Sequence, residues 1–268
     1  MSLRPIVSFW HGPLSFLERV CIASFIEKGH RFILYAYEDV LGLPAGAELS
    51  DAAEIVPREK MFFYKGNRTS AVFADFFRLE LMARDLGIWA DCDVYCVRPF
   101  ELGDYAFGIE VDPNWRNFFS AQVNNAVFVC PPDSDLLARL RSVFDPGAIP
   151  PGLPFWRAAE VRVRRALGDP LPVHHMQFGA TGPAPLNHYV RALKLMHHVH
   201  KRSDFYPMPY GAARLLLEPG SRLDPHIAPD TLGVHMWHSA LTGRGSGTML
   251  EPAPDSFFAR KAQRLTRA

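Results

Sequence analysis

Two aspartates one residue apart, Asp91 and Asp93, follow directly on the apolar run Ile88-Trp89-Ala90. In extended backbone, residues i and i+2 point to the same side, so both carboxylates converge while Cys92 points away. Two close carboxylates repel unless a cation joins them. Hard oxygen donors suit Mg²⁺ or Mn²⁺, which keep open positions for phosphate oxygens. A solvated turn with two acids would use the same residues. Asp75 and Arg78 stand three apart in a helical pattern and share a face. Their flanks, Phe73, Phe76, Phe77 and Leu79, are apolar, which argues against a merely solvated ion pair. Asn124 and Asn125 can each donate and accept hydrogen bonds; a turn before a strand also favours asparagine.

These residues need elements to position them. Ile6 to Trp10 reads as a buried first strand, ended by His11-Gly12-Pro13. A helix is expected from about Ser15 to Lys28, stopped by Gly29, and a second strand over Phe32 to Tyr37. Strand, helix, strand is the start of an α/β sheet. A second helix is expected from Thr69 to Leu86, ended by Gly87, then strands at 88–90 and 94–97 on either side of the aspartates. Further strands are expected at 105–111 and 126–129, and helices near 135–144, 155–167 and 185–197. Residues 41–68 read as irregular, and the proline-, glycine- and histidine-rich last third gives no clear pattern.

Composition narrows the classes. The 268 residues carry 29 basic and 28 acidic side chains and are 48% hydrophobic. Such a chain can bury a large core without staples, and its near-zero charge argues against a nucleic-acid partner. No apolar run reaches the roughly 18–20 residues that span a bilayer, and the N-terminus lacks signal-peptide character. Cys21, Cys92, Cys96 and Cys130 form no CxxC pair and read as reduced cytosolic thiols. His174-His175 and His197-His198-Val199-His200 lack metal-ligand spacing and read as a solvated face. P-loop, zincin and nucleophile-elbow motifs are absent.

The stretch Thr69 to Pro99 then becomes specific. Asp75, Arg78, Gly87, Trp89, Asp91, Asp93 and Arg98-Pro99 stand in an order that resembles the DXD region of GT-A fold glycosyltransferases. The resemblance is to family 32, with capsular polysaccharide and mannosyltransferase-like members and, more distantly, the clostridial glucosylating toxins. It departs at Ile88, where many relatives have a second glycine. Phe9 to Leu14 is similar to the family's opening strand and aromatic loop, which implies that Trp10 stacks on a uracil base; a core tryptophan is the alternative. The resemblance implies that Asp75 accepts hydrogen bonds from donor-sugar hydroxyls, that Arg78 helps hold sugar or diphosphate, and that Asn124 and Asn125 line the sugar. Trp89 falls in the same substrate-binding set. His235-Met236-Trp237 resembles the closing segment, which implies His235 as third metal ligand and Trp237 at the substrate; a satisfied core histidine is the alternative. Thr181-Gly182-Pro183 resembles a turn on the acceptor side, or starts a helix. The glycine-rich 242–247 loop with Arg244 would close over a diphosphate, or is an exposed linker.

The expectation is therefore one GT-A-like α/β domain over 1–268, with a mixed, mainly parallel sheet between helices. Residues 1–130 would form the nucleotide-sugar half, 131–250 the acceptor side and closing loop, and 251–268 a C-terminal tail. The expected activity is a metal-dependent, retaining hexosyltransferase, moving sugar from a UDP-sugar to a glycan, lipid-linked or polysaccharide acceptor. Asp91, Asp93 and His235 would hold Mn²⁺ or Mg²⁺, with Asp91, Asp93 and Asn125 as the catalytic set. A nucleotide-sugar-forming nucleotidyltransferase and a non-catalytic nucleotide- or carbohydrate-binding scaffold are the alternatives. The expected location is cytoplasmic, with peripheral contact at the inner membrane as an option for the basic tail from Phe257 to Leu265.

Overall fold

The computed structural model describes residues 3–65, 69–177, 179–243 and 248–265. Strand β1 (Ile6–Phe9) is wholly buried and lies inside the sheet. Helix α1 (Phe16–Glu27) begins at a capping box, in which Ser15 and Glu18 satisfy each other's backbone and side-chain groups. Strands β2 (Phe32–Ala36) and β3 (Ala47–Asp51) add in parallel on one side of β1. Helix α2 (Ala71–Met82) then crosses the sheet and leads into β4 (Ile88–Ala90), which pairs parallel with β1. Beyond β4 come β5 (Val94–Cys96), β6 (Ala106–Val111) and β7 (Gln122–Val129). Next are helices α3 (Asp135–Ser142), α4 (Phe155–Ala166) and α5 (Pro183–Ala192), strand β8 (Val199–His200) and the short α6 (Arg202–Phe205). Strand β9 (Gly233–His235) and helix α7 (Phe257–Leu265) complete the described chain.

The main sheet has seven strands in the order β3-β2-β1-β4-β7-β6-β8. β7 runs antiparallel to β4 and to β6, and the other neighbours are parallel. This is the mixed, mainly parallel sheet between helices expected from the sequence. Period-2 alternation sorts the side chains. Val7, Phe9 and Trp89 pack with Phe73 and Phe77 of α2 on one face. Ile6, Ile88 and Ala90 pack with Ile22 and Phe25 of α1 on the other. Each fully buried Val, Ile or Phe among them contributes about 1.5–3 kcal/mol. Gly87 has a close-approach role beyond ending a helix. With φ +153°, it passes so near Pro5 that a Cβ would lie 2.4 Å from the Pro5 carbonyl oxygen.

A second, two-stranded sheet decides where the site forms. β9 pairs antiparallel with β5, with His235 opposite Val94. The C-terminal segment is thereby stitched beside the aspartates that follow β4.

Several elements differ from expectation. The edge strand β3 falls in the region that reads as irregular, because Ala-Glu-Leu-Ser-Asp is poor in β-branched residues and largely exposed. β7 starts at Gln122, so Asn124 and Asn125 sit inside a strand, not in a turn before one. Helix α2 ends at Met82, four residues early. Helix α5 spans Pro183–Ala192, not 185–197, because Lys194 takes a left-handed conformation and a 3₁₀ turn follows. The last third carries mostly 3₁₀ turns, which have no amphipathic period to read. The tail helix α7 turns Phe257 and Phe258 onto the domain, against Tyr95 and Phe16, so its apolar face is covered. Among the described residues, no helix is long and apolar enough to cross a membrane.

Candidate active site

Asp91 and Asp93 lie in a tight turn between β4 and β5, closed by the Val94 N–H donating to the Asp91 carbonyl at 3.0 Å. The extended backbone expected there is thus a turn, yet both carboxylates still converge and Cys92 still points into the core. The Cys92 thiol reaches the Ser8 hydroxyl at 3.2 Å. The Asp91 N–H donates to the Ala126 carbonyl at 2.7 Å, which fixes the turn against β7. Asp91, Asp93 and His235 each offer a ligand atom within 4.8 Å of the others. Among the described residues, no other group of three or more His, Cys, Asp or Glu side chains does so. The histidine-rich runs are engaged elsewhere: His200 pairs with Asp204 at 3.0 Å, and His174 stacks on Phe62.

Asp93 is held on every side. Its Oδ1 lies 3.3 Å from His235 Nε2, and its Oδ2 accepts from the His238 N–H at 2.7 Å. Burial alone would raise its pKa, but His235 and the His238 N–H outweigh it and bring the carboxyl down to about 2. Burial likewise acts to lower the His235 pKa, and the Asp93 carboxylate more than reverses it. His235 Nδ1 is buried with no hydrogen-bond partner. The Trp237 ring packs on the His235 ring at 4.1 Å between centroids, with Tyr210 beyond it. Trp237 is itself left-handed, at φ 59°.

Asp91 is positioned from below. Its Oδ1 accepts from Trp89 Nε1 at 2.7 Å and from Arg78 Nη2 at 2.8 Å. Arg78 donates through Nη1 to Asp75 Oδ1 at 3.1 Å, and its guanidinium lies 4.6 Å from the Trp89 ring centroid. Asp75 also accepts from Asn125 Nδ2 at 3.1 Å and Thr181 Oγ1 at 2.9 Å. Gly182 approaches so closely that a Cβ there would lie 2.8 Å from both Asp75 oxygens. Burial raises the Asp75 pKa, against the opposing pull of Arg78 and the hydrogen bonds. Burial raises Asp91 too, opposed by Arg78 and reinforced by Asp93. A connected chain results: Asn125 and Thr181-Gly182 to Asp75, Asp75 to Arg78, Arg78 to Asp91.

The expected site residues thus fall into groups. Asp75, Arg78, Trp89, Asp91, Asp93, Asn125, Gly182, His235 and Trp237 are brought together. Within this set, Arg78 and Trp89 differ from the reading as substrate contacts. Arg78 has 5% of its side chain exposed and is engaged by two acids, and Trp89 is 1% exposed. Both hold Asp91 in place, and Arg78 Nε is buried with no hydrogen-bond partner. Asn124 also departs: its amide donates to Glu110 at 2.6 Å and accepts from the Ala126 N–H and the Tyr206 hydroxyl, so it braces the strand. Trp10 is half-buried, donates to the Pro13 carbonyl at 3.2 Å and lies 6.0 Å from the His238 ring. Arg244 lies outside the described residues.

The sequence reading missed Glu18, Thr181 as an Asp75 partner, and Tyr206. Glu18 is fully buried; its Oε2 accepts from Ser15 while Oε1 meets His238 Nδ1 at 2.6 Å. The Ser15-x-x-Glu18 capping signature marks Glu18 in the sequence, whereas nothing local marks the others.

No family model and no curated protein match the chain. Among solved structures it is similar to "PaToxG Glycosyltransferase", at 11% identity and a TM-score of 0.45, covering 71% of this chain and 69% of that one. A likeness this distant leaves the chemistry to be read from the side chains themselves.

Proposed function

We propose that this chain is a metal-dependent glycosyltransferase of GT-A-like architecture. It would transfer a hexose from a nucleotide sugar, a UDP-sugar in the first instance, to a glycan or lipid-linked acceptor. The observation that carries the reading is the convergence of Asp91, Asp93 and His235 at a strand end, next to a buried polar cradle around Asp75. Strand ends of α/β sheets are where such ligands bind.

The residues fit Mn²⁺ or Mg²⁺. Two carboxylates and an imidazole form a hard, borderline donor set. His235 Nε2, 3.3 Å from Asp93 Oδ1, faces the carboxylate pair and would be its ligand atom. Both donors to Asp91 land on Oδ1, which leaves Oδ2 for a further ligand. When bound, the metal would neutralise charge on the departing nucleotide diphosphate. The chain's own residues supply the rest. Arg78 and Trp89 fix the Asp91 rotamer, and the His238 N–H fixes Asp93. Asp75 and Asn125, with the Thr181 hydroxyl on Asp75, would form the polar cradle for sugar hydroxyls. The depression lined by Tyr210, Gly211, Arg214 and Thr242, of about 660 Å³, lies on the His238 side and has room for a nucleoside. The family resemblance implies retention of configuration, and no side chain here is assigned as nucleophile.

The test is a panel of nucleotide sugars with Mn²⁺, scored by mass spectrometry for free nucleotide diphosphate and paired with calorimetric binding. Metal-dependent release of diphosphate from one donor is expected. Binding without turnover would convert the reading to a scaffold, and neither binding nor release would overturn it.

A further inference from the structure

A cleft opens further along the two elements that supply the partners of Asp75. β7 runs antiparallel to β4, with Val127 opposite Ala90. The first half of β7 therefore projects beyond the strand end that carries Asp91, and Asn125 meets Asp75 there. Helix α5 runs back along that projecting half. Thr181, just before the helix, donates to Asp75. Asn187 then engages the Val123 backbone: its Oδ1 accepts from the N–H at 2.8 Å, and its Nδ2 donates to the carbonyl at 2.6 Å. One turn on, Arg191 donates to the Ala121 carbonyl. Strand and helix thus leave the Asp75 cradle side by side, pinned together along their length.

At their far end they line a cavity of about 660 Å³, in the range of small-molecule sites. Ser120 and Gln122 come from the strand side, His188 and Ala192 from the helix. Gly152 supplies a third wall. At φ +81°, it approaches so closely that a Cβ would lie 3.1 Å from the Ala184 carbonyl oxygen, so the loop before α4 closes against α5. Among the described residues, the lining holds no carboxylate that would favour a cation. It also holds no branched aliphatic or aromatic side chain that would favour a lipid tail. The Ser120 hydroxyl and the His188 ring make no hydrogen bond among the described residues, and Gln122 uses only its Nε2, on the Ser120 carbonyl at 3.2 Å. The Arg191 guanidinium is turned onto protein oxygens, those of Ala121 and Asn187. Hydroxyl, amide and imidazole groups that donate and accept match a ligand rich in hydroxyls.

We infer that this cleft is the acceptor site, and that the acceptor is a glycan chain of two or more sugar units. The inference rests on the glycosyl transfer proposed above, which needs an acceptor hydroxyl beside the donor sugar. Gln122 stands three residues from Asn125 on β7, about 10 Å of strand. That span exceeds one pyranose ring. The reacting unit therefore sits at the Asp75 cradle while the preceding units occupy the cleft. Because its walls are pinned to each other by Asn187 and Arg191, the cleft keeps its shape without a ligand, which lowers the ordering cost of binding.

The test is binding of the full chain, without nucleotide sugar, to an array of neutral mono- to hexasaccharides of glucose, galactose and mannose, with calorimetry on the strongest. Chains of two or more units should bind at least tenfold more tightly than the matching monosaccharide. His188→Ala and, separately, Ala192→Leu, which narrows the cleft from an exposed helix position, should each weaken binding at least tenfold with circular dichroism unchanged. Asp93→Ala should bind the same glycan as the native chain does. No glycan binding, or binding unchanged in both cleft variants, overturns the inference. So does transfer to a lipid or protein acceptor that both variants leave unaltered; in that case the proposed transfer stands and the cleft falls. Glycan binding without diphosphate release from any donor would instead sink the transfer reading, and with it the cleft's role as acceptor site.

Discussion

Replacing Arg78 with methionine isolates the electrostatic logic beneath the site. Arg78 has 5% of its side chain exposed and bridges Asp75, 15% exposed, and Asp91, 31% exposed. Methionine keeps most of the volume but removes the only cation that the described structure pairs with either acid. Breaking a buried pair by deleting one partner costs about 3–5 kcal/mol, chiefly the penalty of an uncompensated charge. Asp91 is open enough for water to screen it, so the lower end, about 3 kcal/mol, is expected. The Arg78→Met/Asp75→Asn pair should recover about 1–2 kcal/mol, because one of the stranded charges is gone. Both acids already have raised pKa values. Losing Arg78 raises them further, so the native state binds protons that the unfolded state does not. The deficit is therefore largest at neutral pH and shrinks as pH falls towards the unfolded carboxylate range. Urea unfolding at pH 5 and pH 8, in a double-mutant cycle, reads all of this. A single-variant loss below about 1 kcal/mol, typical of exposed pairs, with no coupling to Asp75, would refute the reasoning.

Trp89→Phe deletes the indole donor to Asp91 at 2.7 Å while keeping a buried ring. It should cost about 1–3 kcal/mol of stability and lower Mn²⁺ affinity about 10–100-fold, as read by denaturation and metal titration; unchanged affinity would remove Trp89 from the positioning role. Gly182→Ala brings a Cβ to 2.8 Å from both Asp75 oxygens. The displaced carboxylate should raise the donor KM about tenfold with a small change in melting temperature, corresponding to about 1.4 kcal/mol of lost binding; an unaltered KM would take Asp75 out of sugar recognition. His30 accepts from the Phe100 N–H at 2.8 Å and lies 3.0 Å from the Arg4 carbonyl, so it is held neutral, and burial lowers its pKa. Its stabilising contribution is full above its unfolded pKa of about 6.5 and is lost as pH falls below it. His30→Gln should flatten the pH dependence of unfolding free energy between pH 7 and 5, and an identical slope in both proteins would contradict that.

What was legible in the sequence follows the range of the forces involved. Strands β1, β2 and β4 and helices α1 and α2 announce themselves through apolar periodicity and capping, and Asp91-x-Asp93 stands out at the end of β4. The partners of these acids are another matter. That Arg78 faces Asp91 as well as Asp75 depends on how α2 lies across β4, which no local pattern records. His235 reaches Asp93 only because β9 pairs with β5 across more than a hundred residues, among them three strands and four helices. Asn124 and Asn125, neighbours in sequence, diverge because strand residues alternate faces: one braces Glu110 and the other reaches Asp75. Edge strand β3, short of β-branched residues, is formed by its pairing with β2.

The central claim is that Asp91, Asp93 and His235 form one divalent-cation site, and counting bound Mn²⁺ tests it most directly. Electron paramagnetic resonance of free Mn²⁺, titrated with the protein, should show a saturable high-affinity site in the presence of nucleoside diphosphate. That site should be lost in Asp93→Ala and weakened at least tenfold in His235→Ala, with circular dichroism unchanged. Equal binding by the native chain and the folded Asp93→Ala variant would rule out a cation site at these residues.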